Sequence, residues 1–308
     1  MKNMICAEPK KMRGGNAFIK WLKKDGPAWL ILMPFLLTGI VFCWEPLLAG
    51  IRISFFETKG FRTTEFVGLQ NYIDVMTDSV FLTALMNTVS YTLWSIVLGL
   101  FTPVIISLIL NEITHGKSFF RFATYFPCIV PGVVTSVMWL LMFYPGDGGI
   151  LNYMRSFMGL PALQWLNDPD MTIMLIVVTM TWGGAGSTAI LYLADLQSVN
   201  TELYEAVSLD GGGIWRKFIH ITLPHMSGMI KVMFIMQIIG VFQVFQQPMT
   251  MTGGGPNNAS ISLAQVAYNY AFGTVEMGKS TATSVIMAIM LLIFTLFYMR
   301  IKSQSMDE

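Results

Sequence analysis

The side chains in this sequence that are best suited to binding chemistry are amides and aromatic rings rather than acids and bases. Four glutamines lie within residues 237–247, and two phenylalanines lie between them. An amide both donates and accepts hydrogen bonds, and an aromatic ring offers an apolar face. This pairing suits a ligand with hydroxyl groups and apolar ring faces, such as a pyranose. The predicted ligand-contacting residues are Trp182, Gln237, Phe242, Gln243, Gln246 and Asn269.

Catalytic and metal-binding patterns are absent from the sequence. The histidines His115, His220 and His225 belong to no H-E-x-x-H motif, and no G-x-S-x-G motif is present. No G-x-x-x-x-G-K-[ST] phosphate-binding loop occurs either. The cysteines Cys6, Cys43 and Cys128 are scattered and lack metal-ligand spacing. We therefore predict that the chain is not an enzyme and binds no cofactor or metal of its own.

A second polar feature is the segment at residues 205–224, EAVSLDGGGIWRKFIHITLP, which lies between two apolar stretches. Asn200 is a candidate N-cap, and Glu202 complements the helix dipole, so a helix is predicted over about residues 201–210. Gly211 ends it, since glycine adopts the left-handed conformation without strain. A second short helix then leads towards Pro224. Such a segment acts either as a mechanical coupler or as a helix that lies in the lipid headgroups.

These polar features are embedded in a strongly apolar chain. Hydrophobic residues make up 54% of the sequence and charged residues 12%, whereas soluble domains carry about 25% charged residues. Spanning a hydrocarbon core takes about 20 apolar residues. We predict an all-α polytopic membrane protein with six spans, at residues 28–50, 84–110, 119–144, 171–194, 226–249 and 280–300. In such a bundle, glutamines can also hydrogen-bond one helix to the next, and this alternative stays open.

The distribution of basic residues predicts the orientation of the spans. Lys and Arg concentrate on the cytoplasmic side of membrane proteins. If both termini are cytoplasmic, all but five of the 19 Lys and Arg residues lie on that side. The exceptions are Arg52, Lys59, Arg62, Arg155 and Lys279. We expect a cytoplasmic basic arm at residues 1–26, a transmembrane domain at 27–302 with a cytoplasmic loop at about 198–224, and a cytoplasmic tail at 303–308.

The segment at 205–224 resembles the EAA loop of the permeases of ABC importers. The matching residues are Glu205-Ala206, Gly211 and Ile221-x-Leu223-Pro224, while Val207 stands where the family usually has alanine. Further motifs resemble the carbohydrate-uptake group of these permeases, which includes maltose and sn-glycerol-3-phosphate permeases. They are FVGLQNY at 66–72, Asn87-Thr88, prolines 127 and 131, PGDGGILN at 145–152 and MTGGGPNNAS at 251–260.

The resemblance implies the six-helix, MetI-like fold of a type I importer in the membrane of a bacterial or archaeal cell. Its implied partners are a second permease subunit, two ATP-binding subunits and an extracytoplasmic sugar-binding protein. ATP and Mg²⁺ would be bound by the ATPase. The residues that the resemblance assigns to coupling with the ATPase are Glu205, Ala206, Asp210, Gly211, Leu223 and Pro224. Nucleic acid is not expected as a partner, since the net charge is only +1.

The charge pattern favours a neutral cargo. No Lys or Arg occurs between Arg155 and Arg216, or between Lys231 and Lys279. A phosphate or carboxylate site would usually recruit a cation or a helix N-terminus. We therefore expect a neutral sugar or oligosaccharide, with glycerol phosphate or another small solute as the alternative. A secondary transporter or channel is the alternative of another class; it would carry ionisable residues at mid-membrane.

Overall fold

The computed structural model describes residues 14–146 and 148–304, and their side chains from residue 24 to residue 300. The helices are α1 (Gly14–Gly39), α2 (Glu45–Ile53), α3 (Gln70–Thr77), α4 (Ser79–Ser95), α5 (Phe101–Glu112), α6 (Lys117–Ile129), α7 (Gly132–Met142), α8 (Ile150–Phe157), α9 (Pro169–Leu196), α10 (Thr201–Leu209), α11 (Ile214–Lys217), α12 (Leu223–Phe242), α13 (Gln246–Met251), α14 (Leu263–Tyr268) and α15 (Met277–Gln304). The strands are β1 (Phe56–Lys59) and β2 (Arg62–Phe66). Four π-helical turns, at Ile40–Trp44, Ile96–Leu100, Phe218–Thr222 and Asn269–Gly273, and a 3₁₀ turn at Trp165–Asn167 complete the elements.

Five helical stretches of the described chain are long and apolar enough to cross a membrane, and a bent pair supplies a sixth span. The five are Lys24–Ile53, Ser79–Glu112, Pro169–Leu196, Ile214–Phe242 and Met277–Arg300. The pair joins α6 to α7. The prediction of a six-span helical membrane protein is therefore confirmed. Residues 14–26 of the expected basic arm belong to α1, while residues 1–13 and 305–308 lie outside the described residues.

The chain divides into two units, residues 1–52 and residues 53–308. The first unit is helical from Gly14 onwards, and its helix continues through a π-helical turn at Ile40–Trp44. Its apolar side chains, among them Ile31, Phe35 and Phe42, are mostly exposed. Exposed side chains of this kind are suited to lipid rather than to water.

The second unit is built around α9, the helix with the largest set of buried residues. Ile176, Ala189 and Tyr192 of α9 have no exposed surface. The apolar core on its first half includes residues of α4, α7 and α12. A helix that is buried on several sides needs apolar and small residues around its whole circumference, and α9 has this composition.

Close packing of α6 against α9 depends on Gly186. A Cβ at this position would overlap the backbone carbonyl oxygen of Thr124 and would lie 3.2 Å from the Cys128 Sγ. The sequence WGGAG at residues 182–186 is compatible with close helix approach or with local unwinding. The structure shows close approach, since α9 continues through these residues without a break.

The third span is sharply bent. α6 and α7 meet at 96°. Val130 has extended backbone angles, because the residue before a proline disfavours the helical conformation. Two prolines lie in this span: Pro131 marks the break, and Pro127 lies buried within α6.

The predicted bounds of the fifth span were wrong. We expected residues 226–249, whereas the helix begins at Ile214 and ends at Phe242, and α13 follows as a separate helix. Pro248 explains the separation, since a proline within a continuous helix would remove a backbone hydrogen bond. In the first turn of α13 no intrahelical donor is required. Apolar composition alone did not distinguish these two arrangements.

A β-hairpin follows the first span. β1 and β2 pair antiparallel, and the rings of Phe56 and Phe66 contact each other across the pair at 5.4 Å. Gly60, with φ +65°, supplies the turn. β-branched and aromatic residues such as those of this segment favour strands. The Asn71 amide holds the hairpin to α3 by donating to the carbonyls of Ser54 and Phe56, each at 2.9 Å.

The segment at residues 251–260 packs against α4 instead of extending freely. The Asn87 amide donates to the carbonyl oxygens of Asn258 and Ile261, at 2.8 and 3.0 Å. The Tyr91 hydroxyl donates to the Ser260 carbonyl at 2.9 Å. These hydrogen bonds satisfy backbone groups of a non-helical segment inside the bundle, as an apolar environment requires.

Candidate functional site

The polar loop at 198–224 is an ordered helix–bend–helix. Asn200 caps α10 by accepting a hydrogen bond from the Glu202 N–H at 3.0 Å, as predicted. At the other end, the Gly211 N–H donates to the Ser208 carbonyl and the Gly212 N–H to the Val207 carbonyl. Gly211 has φ +74°. This is the Schellman arrangement, in which a left-handed glycine satisfies the last carbonyls of a helix.

Gly212 is a second position of the loop with no room for a side chain, and the EAA pattern does not include it. A Cβ there would lie 2.5 Å from the Val207 Cγ1 and 2.8 Å from the Val207 carbonyl oxygen. Val207 is the residue that departs from the EAA pattern, and its side chain closes the space beside Gly212. Gly213, by contrast, has extended backbone angles, and a methyl group added there would meet open space.

The six residues assigned to coupling are all exposed, namely Glu205, Ala206, Asp210, Gly211, Leu223 and Pro224. Three large apolar side chains beside them are also exposed: Leu209 by 89%, Ile214 by 75% and Trp215 by 73%. An exposed apolar group rimmed by polar residues is typical of a protein–protein contact surface. The second helix of the loop is not a separate piece, since α11 continues through a π-helical turn into α12.

A cavity of about 790 Å³ lies between this loop and the end of α5. Tyr204 and Trp215 line it from the loop, and Leu108 lines it from α5. The Tyr204 hydroxyl lies 3.0 Å from the Thr222 Oγ1, so α10 is tied to the π-helical turn that precedes α12. This contact ties the first helix of the loop to the start of the helical stretch that contains α12.

A second cavity, of about 560 Å³, lies among α9, α12 and α13. This volume is within the range of small-molecule binding sites, about 300–1,000 Å³. Gln243, Gln246 and Gln247 converge on it although the helix breaks between them. No acidic or basic side chain of the described residues lines this cavity. Its polar groups are amides, hydroxyls and backbone.

Comparisons with known proteins identify the family. Residues 116–303 match the family described as the binding-protein-dependent transport system inner membrane component. The chain belongs to this family. It is thus a non-catalytic, multi-pass permease subunit of an ABC transport system. The permease is 32% identical over 285 residues to the probable ABC transporter permease protein YurN of Bacillus subtilis, covering 91% of this chain and 97% of the relative.

The names of two other relatives refer to the transport of sugars. The trehalose/maltose transport system permease protein MalF of Thermococcus litoralis is 31% identical, over 89% of this permease and 92% of its own length. The arabinooligosaccharides transport system permease protein AraP of Bacillus subtilis is 28% identical, over 93% and 91%. A solved bacterial ABC transporter that imports the acidic polysaccharide alginate has the same fold, with a TM-score of 0.81 and 22% identity over 94% of this chain and 99% of that chain.

Three of the six predicted ligand-contacting residues line the cavity of the permease: Gln237, Gln243 and Gln246. Gln237 donates from Nε2 to the Ser95 Oγ at 2.6 Å and packs over Gly99, where a Cβ would overlap its amide. It therefore also joins α12 to α4. Gln243 is exposed and donates to the Ile239 carbonyl at 3.3 Å, and its amide oxygen accepts no hydrogen bond from another described residue.

The other three predicted residues do not line this cavity. The Trp182 ring packs against Trp139 at 6.0 Å. Phe242 is the half-buried last residue of α12, and Asn269 is exposed at the start of a π-helical turn. Spacing along the chain could not predict which of these side chains face one cavity, because that depends on how separate helices pack together.

Sequence reasoning left most of the cavity lining out of the predicted set, including three polar residues with unused side-chain donors. Gln247, Thr181 and Thr188 line the cavity, and none donates a side-chain hydrogen bond to another described residue. Gln247 lies directly after Gln246 and has the same side chain, so the sequence offered it as a further candidate. The two threonines flank the WGGAG segment of α9, where small residues leave room for them beside α12.

Proposed function

We propose that this permease forms half of the translocation pathway of an importer for a neutral sugar or oligosaccharide. The observation that carries the proposal is the cavity lined by amides and hydroxyls and by no ionisable side chain of the described residues. Hydroxyl groups of a sugar need partners that both donate and accept, and Gln243, Gln246 and Gln247 are of this type. An anionic ligand in this cavity would meet no basic side chain of the described residues to pair with.

The relatives support a sugar as the cargo. The names of two relatives refer to trehalose and maltose and to arabinooligosaccharides. The alginate importer shares the fold at only 22% identity, so it bears on the architecture and not on the ligand. An acidic cargo is disfavoured here by the uncharged cavity lining. Glycerol phosphate, the alternative cargo, is disfavoured for the same reason.

Aromatic side chains next to the cavity add to this argument. Phe245 lines the cavity, and its ring contacts the Tyr268 ring at 4.9 Å. Tyr268 in turn contacts Phe272 at 4.8 Å. Tyr268 and Phe272 are exposed by 38% and 61%. Aromatic faces beside amides fit the alternating apolar and hydroxylated faces of a pyranose ring.

Coupling to ATP hydrolysis is proposed through the exposed loop at 198–224. The partner is a separate ATP-binding subunit, with ATP and Mg²⁺ on that subunit. The exposed Leu209, Ile214 and Trp215 offer it an apolar contact. A second permease subunit, expected to be a different chain, would complete the pathway, and a sugar-binding protein would deliver the cargo at the outer face.

The test is uptake by the complete transporter reconstituted in vesicles, with labelled neutral sugars and with glycerol phosphate as the anionic competitor. We expect Gln243→Ala to raise the KM for sugar uptake about three- to tenfold, because a net hydrogen bond contributes about 0.5–1.5 kcal/mol. The amount of bound ATPase should not change. Uptake that glycerol phosphate inhibits and neutral sugars do not would overturn the assignment of cargo.

Gln237→Leu is the matched control variant. It removes an amide from α12, the helix that ends just before Gln243, but this amide is already bonded to Ser95. We expect it to lower the unfolding temperature of the complex, while Gln243→Ala does not. If Gln243→Ala releases the ATPase or lowers the unfolding temperature as Gln237→Leu does, Gln243 is structural and is not a ligand contact.

A further inference from the structure

Side chains outside the EAA pattern tie the two ends of the coupling loop to each other. Asp195 lies in the last turn of α9, Ser198 in the turn after it and His225 in the first turn of α12. The His225 Nε2 lies 3.1 Å from the Ser198 Oγ and 3.1 Å from the Asp195 backbone oxygen. It also lies 3.7 Å from the Asp195 carboxylate Oδ1.

The direction of these hydrogen bonds follows from the serine. The Ser198 hydroxyl donates its proton to the Asp195 carbonyl oxygen at 2.7 Å. Its oxygen can then only accept from His225, and the Asp195 carbonyl is an acceptor as well. Nε2 must therefore carry a proton, which both the Nε2–H tautomer and the imidazolium provide. The essential group is one N–H donor at the Nε2 position.

This contact lies over a tightly packed junction of the long helices. Tyr192 and Leu196 of α9 form an apolar cluster with Met226, the residue after His225, and Tyr192 and Met226 are fully buried. The second tie, between Tyr204 and Thr222, lies further along the loop. Packing alone resists separation of α9 from α12, while directional hydrogen bonds also resist sliding of one helix along the other.

We propose that His225, Asp195 and Ser198 form a latch that makes the ends of α9 and α12 move as one body when the ATPase displaces the loop. His225 is the positioning residue of the latch. Without the latch, the displacement bends the loop instead of moving the cavity-lining helices. The inference rests on the proposed coupling of the loop to an ATPase, and it assigns the transmission step to residues of this chain.

Three variants of His225 test the donor. His225→Gln places an amide N–H close to the original Nε2 position, whereas the shorter His225→Asn cannot reach it. His225→Leu keeps the volume and removes the donor. His115→Leu is the matched control, since His115 lies between α5 and α6, outside the coupling loop, and among the described residues its only hydrogen bond is to the neighbouring Thr114 Oγ1, at 2.9 Å. Each variant is purified as the complete transporter and reconstituted with its binding protein.

The measurements are the amount of bound ATPase, ATP hydrolysis with and without the binding protein, and sugar taken up per ATP. For His225→Leu and His225→Asn we expect the wild-type amount of bound ATPase and the wild-type rate of ATP hydrolysis without the binding protein. Sugar uptake per ATP should be about five- to tenfold lower. His225→Gln should restore most of the coupling. His115→Leu should behave as wild type.

Other outcomes overturn the latch. These are wild-type uptake per ATP in His225→Leu, failure of His225→Gln to differ from His225→Leu, loss of the ATPase from the complex, or equal damage in His115→Leu. Failure of the proposed function looks different, because the wild-type complex itself would then take up no neutral sugar. In that case, the variants can still be compared by how much the binding protein stimulates their ATP hydrolysis.

Discussion

Three consecutive glycines in the coupling loop have three different environments. Gly211 has a positive φ and open space around it, so its requirement is one of backbone conformation. Gly212 meets Val207 and the Arg216 side chain, so its requirement is one of space. Gly213 has φ −75° and no close neighbour, and any small residue fits there. Substitutions at these three positions can therefore distinguish a conformational requirement from a packing requirement at the same bend.

Gly211→Val is expected to abolish uptake while the protein still inserts into the membrane. A β-branched residue in the left-handed region stores about 1–3 kcal/mol of strain. Since α10 ends at this bend, the strain is relieved by opening the bend and displacing Leu209 and Asp210. The measurements are sugar uptake, the amount of permease in the membrane and co-purification of the ATPase.

Gly213→Ala is the control for this variant, because it adds a methyl group two residues away without strain. Wild-type uptake and ATPase association are expected for it. Normal transport and normal ATPase binding in Gly211→Val would show that the bend is not the coupling element. Failure of both variants would point to a general intolerance of the loop instead.

The coupling residues could be predicted from the sequence because their requirements are local. The cap at Asn200 and the left-handed Gly211 follow from short-range rules, and both are found as expected. His225 could not be predicted in this way. Its partners Asp195 and Ser198 lie 30 and 27 positions away in the chain, and only the folded path of the loop brings them together.

At the scale of elements, the breaks in the helices shape the cavity. The bend between α6 and α7 places Gly132 beside Gln246, where a Cβ would lie 2.7 Å from the Gln246 Oε1. Across the gap between α12 and α13, Gln243 and Gln246 line the same cavity as Gln237 of α12. In a continuous helix Gln243 and Gln246 would share a face, whereas Gln237, six residues before Gln243, would lie on another side of the helix. Breaks of this kind are tolerated in membranes where a cavity or a neighbour satisfies the backbone.

Gly186→Ala is expected to destabilise the contact between α6 and α9. The added methyl group would overlap the Thr124 carbonyl, and overpacking costs about 1–3 kcal/mol. This exceeds the gain of about 1 kcal/mol in helix propensity. The measurement is the unfolding temperature of the purified complex, which should fall.

Gly183→Ala is the matched control on the same helix, since its methyl group would only touch the Thr135 Cγ2 at 4.0 Å. We expect this variant to keep or raise the unfolding temperature, because it gains helix propensity without a clash. Equal stability of the two variants would mean that α6 and α9 separate easily, and the tight crossing at Gly186 would not contribute to stability.

The sequence predicted the number of membrane-spanning segments, but it did not predict where their helices break. Six apolar stretches are visible in the sequence, and six spans are found if the bent pair counts as one. Pro131 and Pro248 both interrupt apolar runs, yet Pro127 lies within a helix. Whether a proline breaks a helix depends on neighbours that replace the lost hydrogen bond, and the sequence does not name those neighbours.

At the scale of the whole molecule, the hairpin and the coupling loop should lie on opposite sides of the membrane. The chain crosses from the hairpin to the loop through α4–α5, the bent α6–α7 pair and α9, which is an odd number of spans. On the hairpin side, β1 contacts the start of α15, where the Gly278 N–H donates to the Thr58 Oγ1 at 3.3 Å. The basic residues favour the loop side as the cytoplasm.

Labelling of single cysteines tests this orientation. Thr64→Cys in β2 and Ser208→Cys in α10, both exposed, are made in a chain whose Cys6, Cys43 and Cys128 are replaced by serine. In intact spheroplasts, a membrane-impermeant maleimide should label Thr64→Cys and leave Ser208→Cys unlabelled until the membrane is opened with detergent. The inverse pattern would place the EAA loop outside the cell, where no ATP is available to an ATPase bound to it, and would remove the basis of the coupling mechanism. Labelling of both positions in sealed spheroplasts would contradict the odd number of spans between them.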